Sequence, residues 1–530
     1  MSQLYHELIT HTAALHSSNE ALRYRDQSLT YAALEAAITK AACGLMRCGL
    51  QRHERVAVYL PKRFETVFTL YGTSMAGGVF VPVNPQLKPE QVGHILRDCN
   101  ARILITSKDR AEALAETLTS CHDLRTLVLV DTHAETPPAL PSIETVTWEA
   151  FFAAASTAQF HRRIDMDVLA ILYTSGSTGR PKGVVLSHRN VVTGAVSVSQ
   201  YLENSPSDRI LAVLPFSFDY GLSQLNTAFR VGACAVMMDY LMPRDVIAMV
   251  AKERITGLAA VPPLWIQLAQ LPWPAAAVST LSYITNSGGA MPLATLAGLR
   301  KALPNTRVFL MYGLTEAFRS TYLPPEELDR RPESMGKAIP NAEIMVVRED
   351  GTPCAPGEPG ELVHRGSLVA MGYWNDPEKT AERYRPVPGA DHNIPLPEIA
   401  VWSGDTVRTD DDGFLYFVAR KDDMIKTSGY RVSPTEVEEV IYGSGLVGHA
   451  AALGIAHAIL GQAIVVVASP PENSDDVDTK ALLELCKTRL PTFMVPAHIH
   501  VQPVLPRNPN GKIDRKQLAQ ELRDLFQASK

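Results

Sequence analysis

Tyr173-Thr174-Ser175-Gly176-Ser177-Thr178-Gly179-Arg180-Pro181-Lys182-Gly183 is the stretch that decides how this chain reads. Four hydroxyl side chains of Ser and Thr, three glycines and a lysine share one short loop. Glycines let the backbone turn sharply and bring its N–H groups close to an anion. The hydroxyls and the Lys182 ammonium add donors, so the composition suits a polyphosphate. It is not a Walker A loop, because that motif ends in Gly-Lys-Ser/Thr and here Lys182 precedes Gly183. The apolar runs 168–172 and 184–186 on either side read as short buried strands. A strand–loop–strand phosphate clamp is therefore expected, rather than a loop that feeds a helix N-terminus. A Ser/Gly-rich surface hairpin would explain the turn but not the Arg-Pro-Lys tail.

Working outward, the preceding third of the chain alternates between two periods. Residues 31–50, 64–76 and 89–99 have helical spacing, while 55–60, 79–83 and 101–106 read as buried strands. This alternation signals an α/β layered fold with a largely parallel sheet. A Pro- and Thr-rich loop is expected around 136–145, and a second unit of the same kind from Ile164 to about Leu323. Asp350-Gly351 and Pro356-Gly357-Glu358-Pro359-Gly360 then punctuate short β runs, as a small barrel would require. Residues 386–397 read as an exposed Pro-rich loop. After Arg420 the chain restarts with helical patterns at 435–442 and 480–489 and a strand at 464–468. We place a domain boundary at Ala419 to Asp422, dividing a large N-terminal domain, 1–420, from a small α+β domain, 421–530.

With 530 residues the chain exceeds what one core usually holds, which agrees with that division. A hydrophobic share of 46% and a charged share of 20% are those of a soluble globular protein. The net charge of −6 argues against a general nucleic-acid binder. Seven scattered cysteines form no CxxC pair, so neither a zinc site nor a disulfide framework is indicated. They read as reduced, mostly buried small hydrophobes. Met1-Ser2-Gln3-Leu4-Tyr5-His6 carries no basic region followed by an apolar stretch, and no uncharged apolar run could span a bilayer. A soluble, cytoplasmic protein is expected.

Five further segments accompany the loop. Ser287-Gly288-Gly289-Ala290-Met291-Pro292 and Tyr312-Gly313-Leu314-Thr315-Glu316 each follow an apolar strand pattern. Trp402-Ser403-Gly404-Asp405, the run Arg420-Lys421-Asp422-Asp423-Met424-Ile425-Lys426-Thr427-Ser428-Gly429-Tyr430-Arg431, and Asn510-Gly511-Lys512-Ile513-Asp514-Arg515 complete the set. Each alone is a weak hint, but their order and spacing are not. On these motifs, and over essentially its whole length, the chain resembles the adenylate-forming superfamily of acyl-CoA synthetases, peptide-synthetase adenylation domains and luciferases. Within it the likeness is greatest to AMP-forming acyl-CoA ligases associated with exosortase systems.

The resemblance implies a two-step reaction. A carboxylate attacks the α-phosphate of ATP, releasing pyrophosphate, and a pantetheine thiol then displaces AMP to give a thioester. Because the first step joins two anions, donors and cations must neutralise charge as it develops. By this likeness Thr174, Ser175, Gly176, Ser177, Thr178, Gly179 and Lys182 hold the β- and γ-phosphates. Glu316 is the Mg²⁺ ligand, and Thr315 contacts the α-phosphate. Gly289 and Ala290 flank the adenine, with Tyr312 of the Tyr312-Gly313 pair stacking on it. Asp405 accepts from the ribose hydroxyls, braced by Arg420. Lys512 is the catalytic lysine, brought in and withdrawn as a mobile C-terminal domain rotates about Asp422. Gly429 lines the thiol path and Arg431 sits near the AMP phosphate. Ala419 departs from the glycine usual before the ribose arginine.

Leu214-Pro215-Phe216-Ser217-Phe218-Asp219-Tyr220-Gly221-Leu222 corresponds to a wall of the acyl pocket, with Phe218 as its gate and Ser287 and Gly288 beside it. Asp219 falls where amino-acid-activating domains carry the aspartate that holds the substrate ammonium. Arg319 should approach the same pocket. A buried charge is costly unless paired, so either these two satisfy each other or one awaits a charged substrate group. The function expected is an ATP-dependent acid–thiol ligase that uses coenzyme A. The alternative is a stand-alone enzyme that loads an amino or polar acid onto the phosphopantetheine of a carrier protein. A non-catalytic derivative of the fold would have lost Glu316, Asp405 or Lys512, and all three are present.

Overall fold

The computed structural model describes residues 2–131, 142–153, 159–174, 181–291, 293–391, 393–420, 424–471, 474, 476–506 and 513–527. Two large sheets dominate it. One has seven strands in the order Glu144–Thr147, Thr126–Leu129, Ala101–Thr106, Arg55–Tyr59, Val79–Pro82, Val168–Thr174, Lys182–Ser187. The other has nine, with Arg307–Tyr312, Tyr283–Asn286, Gly257–Ala260, Arg209–Ala212, Cys234–Met237 and Glu20–Tyr24 as a continuous parallel run.

Strand alternation assigns each face a core. In the nine-stranded sheet Ile210 and Ala212 point into a core shared with the other sheet, and Leu211 and Val213 point away from it. In the seven-stranded sheet Val56 and Val58 join the shared core, and Ala57 and Tyr59 face outward. Parallel strands buried on both faces read as unbroken apolar runs, which is why these segments are legible in sequence. The helices Tyr31–Arg47, Phe64–Ala76, His188–Tyr201 and Asp219–Val231 contribute to the same shared core. Their ends follow from local chemistry. Thr30 caps the first through a bond from Ala33 N–H to its hydroxyl (3.2 Å), and the second stops at Gly77, where φ is +89°.

The strand–loop–strand expectation holds. Val168–Thr174 and Lys182–Ser187 are antiparallel, with Thr174 opposite Lys182 at the root of the loop. The division into successive units needs correcting. The hairpin 168–187 belongs to the sheet of the first unit, whereas Glu20–Tyr24 and Gln27–Thr30 belong to the sheet of the second. The 144–145 end of the expected Pro/Thr loop is the edge strand Glu144–Thr147. Periodicity reports which face a strand buries, not which distant strand it pairs with, so neither exchange was visible in it.

Where a small barrel is expected, a five-stranded antiparallel sheet forms from Ala342–Val347, Gly360–Gly366, Tyr384–Pro386, Ile399–Thr409 and Leu415–Arg420. The C-terminal segment builds its own five-stranded sheet around the long hairpin His449–His457 and Gly461–Ser469. The helix Pro434–Tyr442 packs on that hairpin, and Thr479–Arg489 packs on the helix. All seven cysteines are unpaired and five are buried. Among the described residues no helix is long and apolar enough to cross a membrane.

Candidate active site

In open parallel sheets, ligands bind beyond the carboxyl ends of the strands. A cavity of about 1220 Å³ lies there, larger than the roughly 300–1,000 Å³ of a typical small-molecule pocket. Its walls come from the ends of both large sheets: Pro82 to Leu87 and Thr174 from one, Val213 to Gly221, Ser287 to Met291 and Leu310 to Thr315 from the other. Asp405 of the five-stranded sheet and Gly429 to Arg431 of the C-terminal unit complete it.

At one end, Tyr312 donates its phenol hydrogen to Asp405 Oδ2 at 2.5 Å, and Asp405 is only 3% exposed. In the ladder Asp405 stands opposite Arg420. Asn286, at the end of its strand, donates from Nδ2 to the Gly289 carbonyl (2.9 Å) and so shapes the turn that presents Ser287, Gly288, Gly289 and Ala290 to the cavity. Gly313 and Thr315 follow Tyr312 along the wall.

Lys182 and Glu316 meet at a third residue, Tyr373. The chain from Met371 to Trp374 runs beside Lys182–Ser187, with Trp374 N–H donating to the Gly183 carbonyl (2.7 Å). This brings the Tyr373 ring within 5.6 Å of the Lys182 ammonium, while its hydroxyl donates to Glu316 Oε1 at 2.7 Å. Burial depresses the Lys182 pKa, assisted by Lys379. Glu316 is buried, and its Oε2 has no hydrogen-bond partner among the described residues. A carboxylate with one oxygen anchored and the other open matches the way Mg²⁺ is usually held, by one or two carboxylates together with phosphate oxygens.

The other end of the cavity is closed by an ion pair. Arg319 Nη1 lies 3.0 Å from Asp219 Oδ2, and the Arg319 side chain is 3% exposed. Its guanidinium also sits 4.6 Å from the centre of the Tyr220 ring, and Thr315 Oγ1 approaches Asp219 Oδ1 at 3.5 Å. Burial pushes the Asp219 pKa up, and Arg319 pulls it back. Of the two options left open by the sequence, the internal pair is the one formed. Two backbone features deliver it. Phe318 adopts φ +55°, an uncommon value for a residue with a side chain, as the chain turns back toward Arg319. A Cβ on Gly221 would stand 1.9 Å from the Pro215 carbonyl oxygen, so only glycine lets the helix that begins at Asp219 pack against the turn carrying Phe218.

On the C-terminal side Gly429 has φ +81°, and a Cβ there would lie 2.9 Å from Val261. A side chain here would obstruct the packing of this turn on Val261. Ile513 packs with Leu453, Ile455, Val465 and Val467, whereas Ile425 and Val432, which flank the Lys426-to-Arg431 turn, pack with Ala452, Ile464 and Val466 on the opposite face of the sheet. Ser175, Gly176, Ser177, Thr178 and Gly179, the hinge candidate Asp422 and the catalytic candidate Lys512 lie outside the described residues, as does the side chain of Arg420.

The AMP-binding enzyme model matches residues 9–374, and that of the AMP-binding enzyme C-terminal domain matches 436–512. The chain belongs to this family. It is an AMP-forming acyl-CoA ligase of the adenylate-forming superfamily. Similar proteins include a feruloyl-CoA synthase from Amycolatopsis sp, 32% identical over 93% of this chain and 94% of that one. A long-chain-fatty-acid–CoA ligase of Mycobacterium tuberculosis is 28% identical over 92% of both chains. Among solved structures, a double mutant of o-succinylbenzoate CoA synthetase from Bacillus subtilis, bound with a product analogue, superposes with a TM-score of 0.82. It is 26% identical, with 97% of each chain covered.

In this AMP-binding enzyme, fourteen of the residues singled out by sequence line one cavity: Thr174, Phe218, Asp219, Ser287, Gly288, Gly289, Ala290, Tyr312, Gly313, Thr315, Arg319, Asp405, Gly429 and Arg431. Lys182 and Glu316 stand next to it, at Tyr373. Sequence reasoning misses Tyr373 and Asn286. The run Gly372-Tyr373-Trp374-Asn375 reads as an ordinary turn, and only the ladder with Lys182–Ser187 reveals its place.

Proposed function

We propose that the ligase activates a compact aryl or polar carboxylic acid and not a long alkyl one. The observation that carries this is the Asp219–Arg319 pair, with Arg319 buried and Asp219 half-buried at the cavity wall, which would set poorly solvated charge against the methylenes of a long chain. The pairing also engages the carboxylate that a free α-ammonium would need, which weakens the amino-acid alternative.

In this reading ATP lies between the Tyr312–Asp405 pair and the Lys182–Tyr373–Glu316 cluster. Gly289, Ala290 and Tyr312 take the adenine, Asp405 and Arg420 the ribose, and Thr174 to Gly179 with Lys182 the outer phosphates. Glu316, through Oε2, would hold Mg²⁺, which supplies a Lewis acid for the phosphate oxygens. Thr315 donates to the α-phosphate. Lys512 neutralises the carboxylate and α-phosphate as they join, then leaves when residues 421–530 turn about Asp422 as a mobile domain. Gly429 then opens the way for the CoA thiol, with Arg431 near the departing AMP phosphate. The chain works in the cytoplasm, where ATP and CoA are at hand.

A pyrophosphate-exchange screen across fatty, aryl, hydroxy, dicarboxylic and amino acids tests the acid class. Exchange is expected with compact aryl or polar acids and free CoA should then accept the acyl group without any carrier protein. Exchange confined to long fatty acids, or release of ADP and orthophosphate, would overturn the proposal.

A further inference from the structure

Tyr430 belongs to the C-terminal unit, yet it reaches the acyl end of the cavity. Its ring stands edge-on to Phe218, with centroids 5.2 Å apart and planes at 77°. On its other side it stacks against Phe493 at 3.7 Å and 11°. The phenol oxygen lies 3.5 Å from Gln86 Oε1, a long contact that orients more than it binds. All four residues line the cavity. Gly429, packed on Val261, is what lets the hairpin come this close.

Two polar contacts hold the same seam. Gln91 Nε2 donates to Glu436 Oε1 at 2.8 Å, and Arg489 approaches Glu90 at 3.3 Å near the surface. The residues beside Tyr430 pack on the sheet face opposite the one that carries Ile513, the neighbour of Lys512. An arrangement that presents Tyr430 to the cavity therefore presents the thiol side of the C-terminal unit.

We infer that Tyr430 is a positioning and specificity-determining residue for the thioester step: it covers the acyl end from the C-terminal side and holds Phe218 in place beneath it. This rests on the reading of the acyl end and of the rotating domain given above. The acyl group is then inspected twice. During adenylation Phe218 stands alone, and during thioester formation Tyr430 backs it. An aromatic edge contact of this kind is strong enough to change a rate by about two- to tenfold.

The test compares Tyr430→Ala and Tyr430→Phe in the full-length enzyme, using a compact and a bulkier acid that both support exchange. Tyr430→Ala should leave acid-dependent pyrophosphate exchange within about twofold of wild type. Thioester formation from supplied acyl-adenylate and CoA should fall about tenfold for the compact acid and less for the bulkier one. Tyr430→Phe should restore both, since it keeps the ring. Gln91→Ala, which loosens the seam away from the acyl end, should slow thioester formation equally for the two acids. Equal loss of both half-reactions in Tyr430→Ala, no loss of either, or the same acid dependence in Gln91→Ala would overturn the inference. Failure of the underlying reading would show separately, as a wild-type enzyme whose exchange is confined to long fatty acids or that releases ADP and orthophosphate, and would remove both.

Discussion

The two ends of the cavity grow from the same row of strand ends but are built on different principles. The end proposed for the nucleotide presents backbone from glycine-rich turns written as contiguous motifs, braced by the Tyr312–Asp405 and Tyr373–Glu316 contacts, which leave one Glu316 oxygen open. The acyl end is assembled from side chains that meet across long sequence separations: Asp219 with Arg319, and Phe218 with Tyr430 from the C-terminal unit. Glycine turns can be written locally, while the side-chain pairs, and with them the proposed selectivity for one acid, depend on partners that only the fold brings together. The contrast is open to attack from either side.

The largest effect on activity should come from the nucleotide side. Lys512→Ala is expected to lower acid-dependent pyrophosphate exchange by at least about a hundredfold, as for loss of a group that stabilises developing charge. It should spare thioester formation from supplied acyl-adenylate. Equal damage to both steps would mean that Lys512 serves structure instead.

At the acyl end the expected loss is one of stability. Arg319→Leu alone strands the Asp219 carboxylate and should destabilise the fold by about 3–5 kcal/mol, whereas Arg319→Leu with Asp219→Leu should recover much of it. Chemical denaturation of the two single variants and the double variant measures the cycle. Additive losses would show that the two side chains act independently despite their 3.0 Å separation.

A third test asks whether acid sensitivity arises in the cavity or the scaffold. His188, far from either end, accepts a hydrogen bond from the Tyr5 N–H (3.0 Å), and burial pulls its pKa down to about 4. Burial takes His364, bonded to Ser320, down to about 3. Between pH 6.5 and 4 the unfolded chain binds protons that the folded one does not, so stability is full above pH 6.5 and falls as the pH drops. His188 alone accounts for about 3 kcal/mol over that window. His188→Gln should flatten the fall of denaturation midpoint with pH, and an unchanged slope would assign the effect elsewhere.

The smallest change returns to the nucleotide end. Tyr312→Phe keeps the ring but removes the 2.5 Å hydrogen bond to Asp405. The KM for ATP should rise about tenfold with kcat little changed, as expected for a bond to a charged acceptor worth roughly 1.5 kcal/mol. A drop in kcat without a change in KM would place the pair in the chemical step.

How much was legible follows the same contrast. The hairpin around the phosphate loop, most helices and strands, and the glycine-rich motifs at the nucleotide end could be read from periodicity, turn chemistry and motif order, whereas Asn286 and Tyr373, which brace those motifs, could not. Asp219 and Arg319 were both assigned to the acyl end, but whether they pair depends on the turn at Phe318, which no local pattern announces. Tyr430 and Tyr373 look like ordinary residues of short turns. Their roles come from β-ladders and a domain seam whose partners lie far away in the chain.

One consequence lies in how the molecule is made. Glu20–Tyr24 pairs in parallel with Cys234–Met237, so although Gln27–Thr30 can pair with it at once, its inner neighbour exists only after more than two hundred further residues. At typical elongation rates that delay is on the order of ten seconds or more. Throughout it, the side chains of Ala21 and Leu22, fully buried in the finished fold, have to be shielded, whether by the helices around them or by a chaperone. Neither half of the N-terminal region can be expressed alone without a sheet losing its edge pair, Glu20–Tyr24 with Gln27–Thr30 in one case and Val168–Thr174 with Lys182–Ser187 in the other.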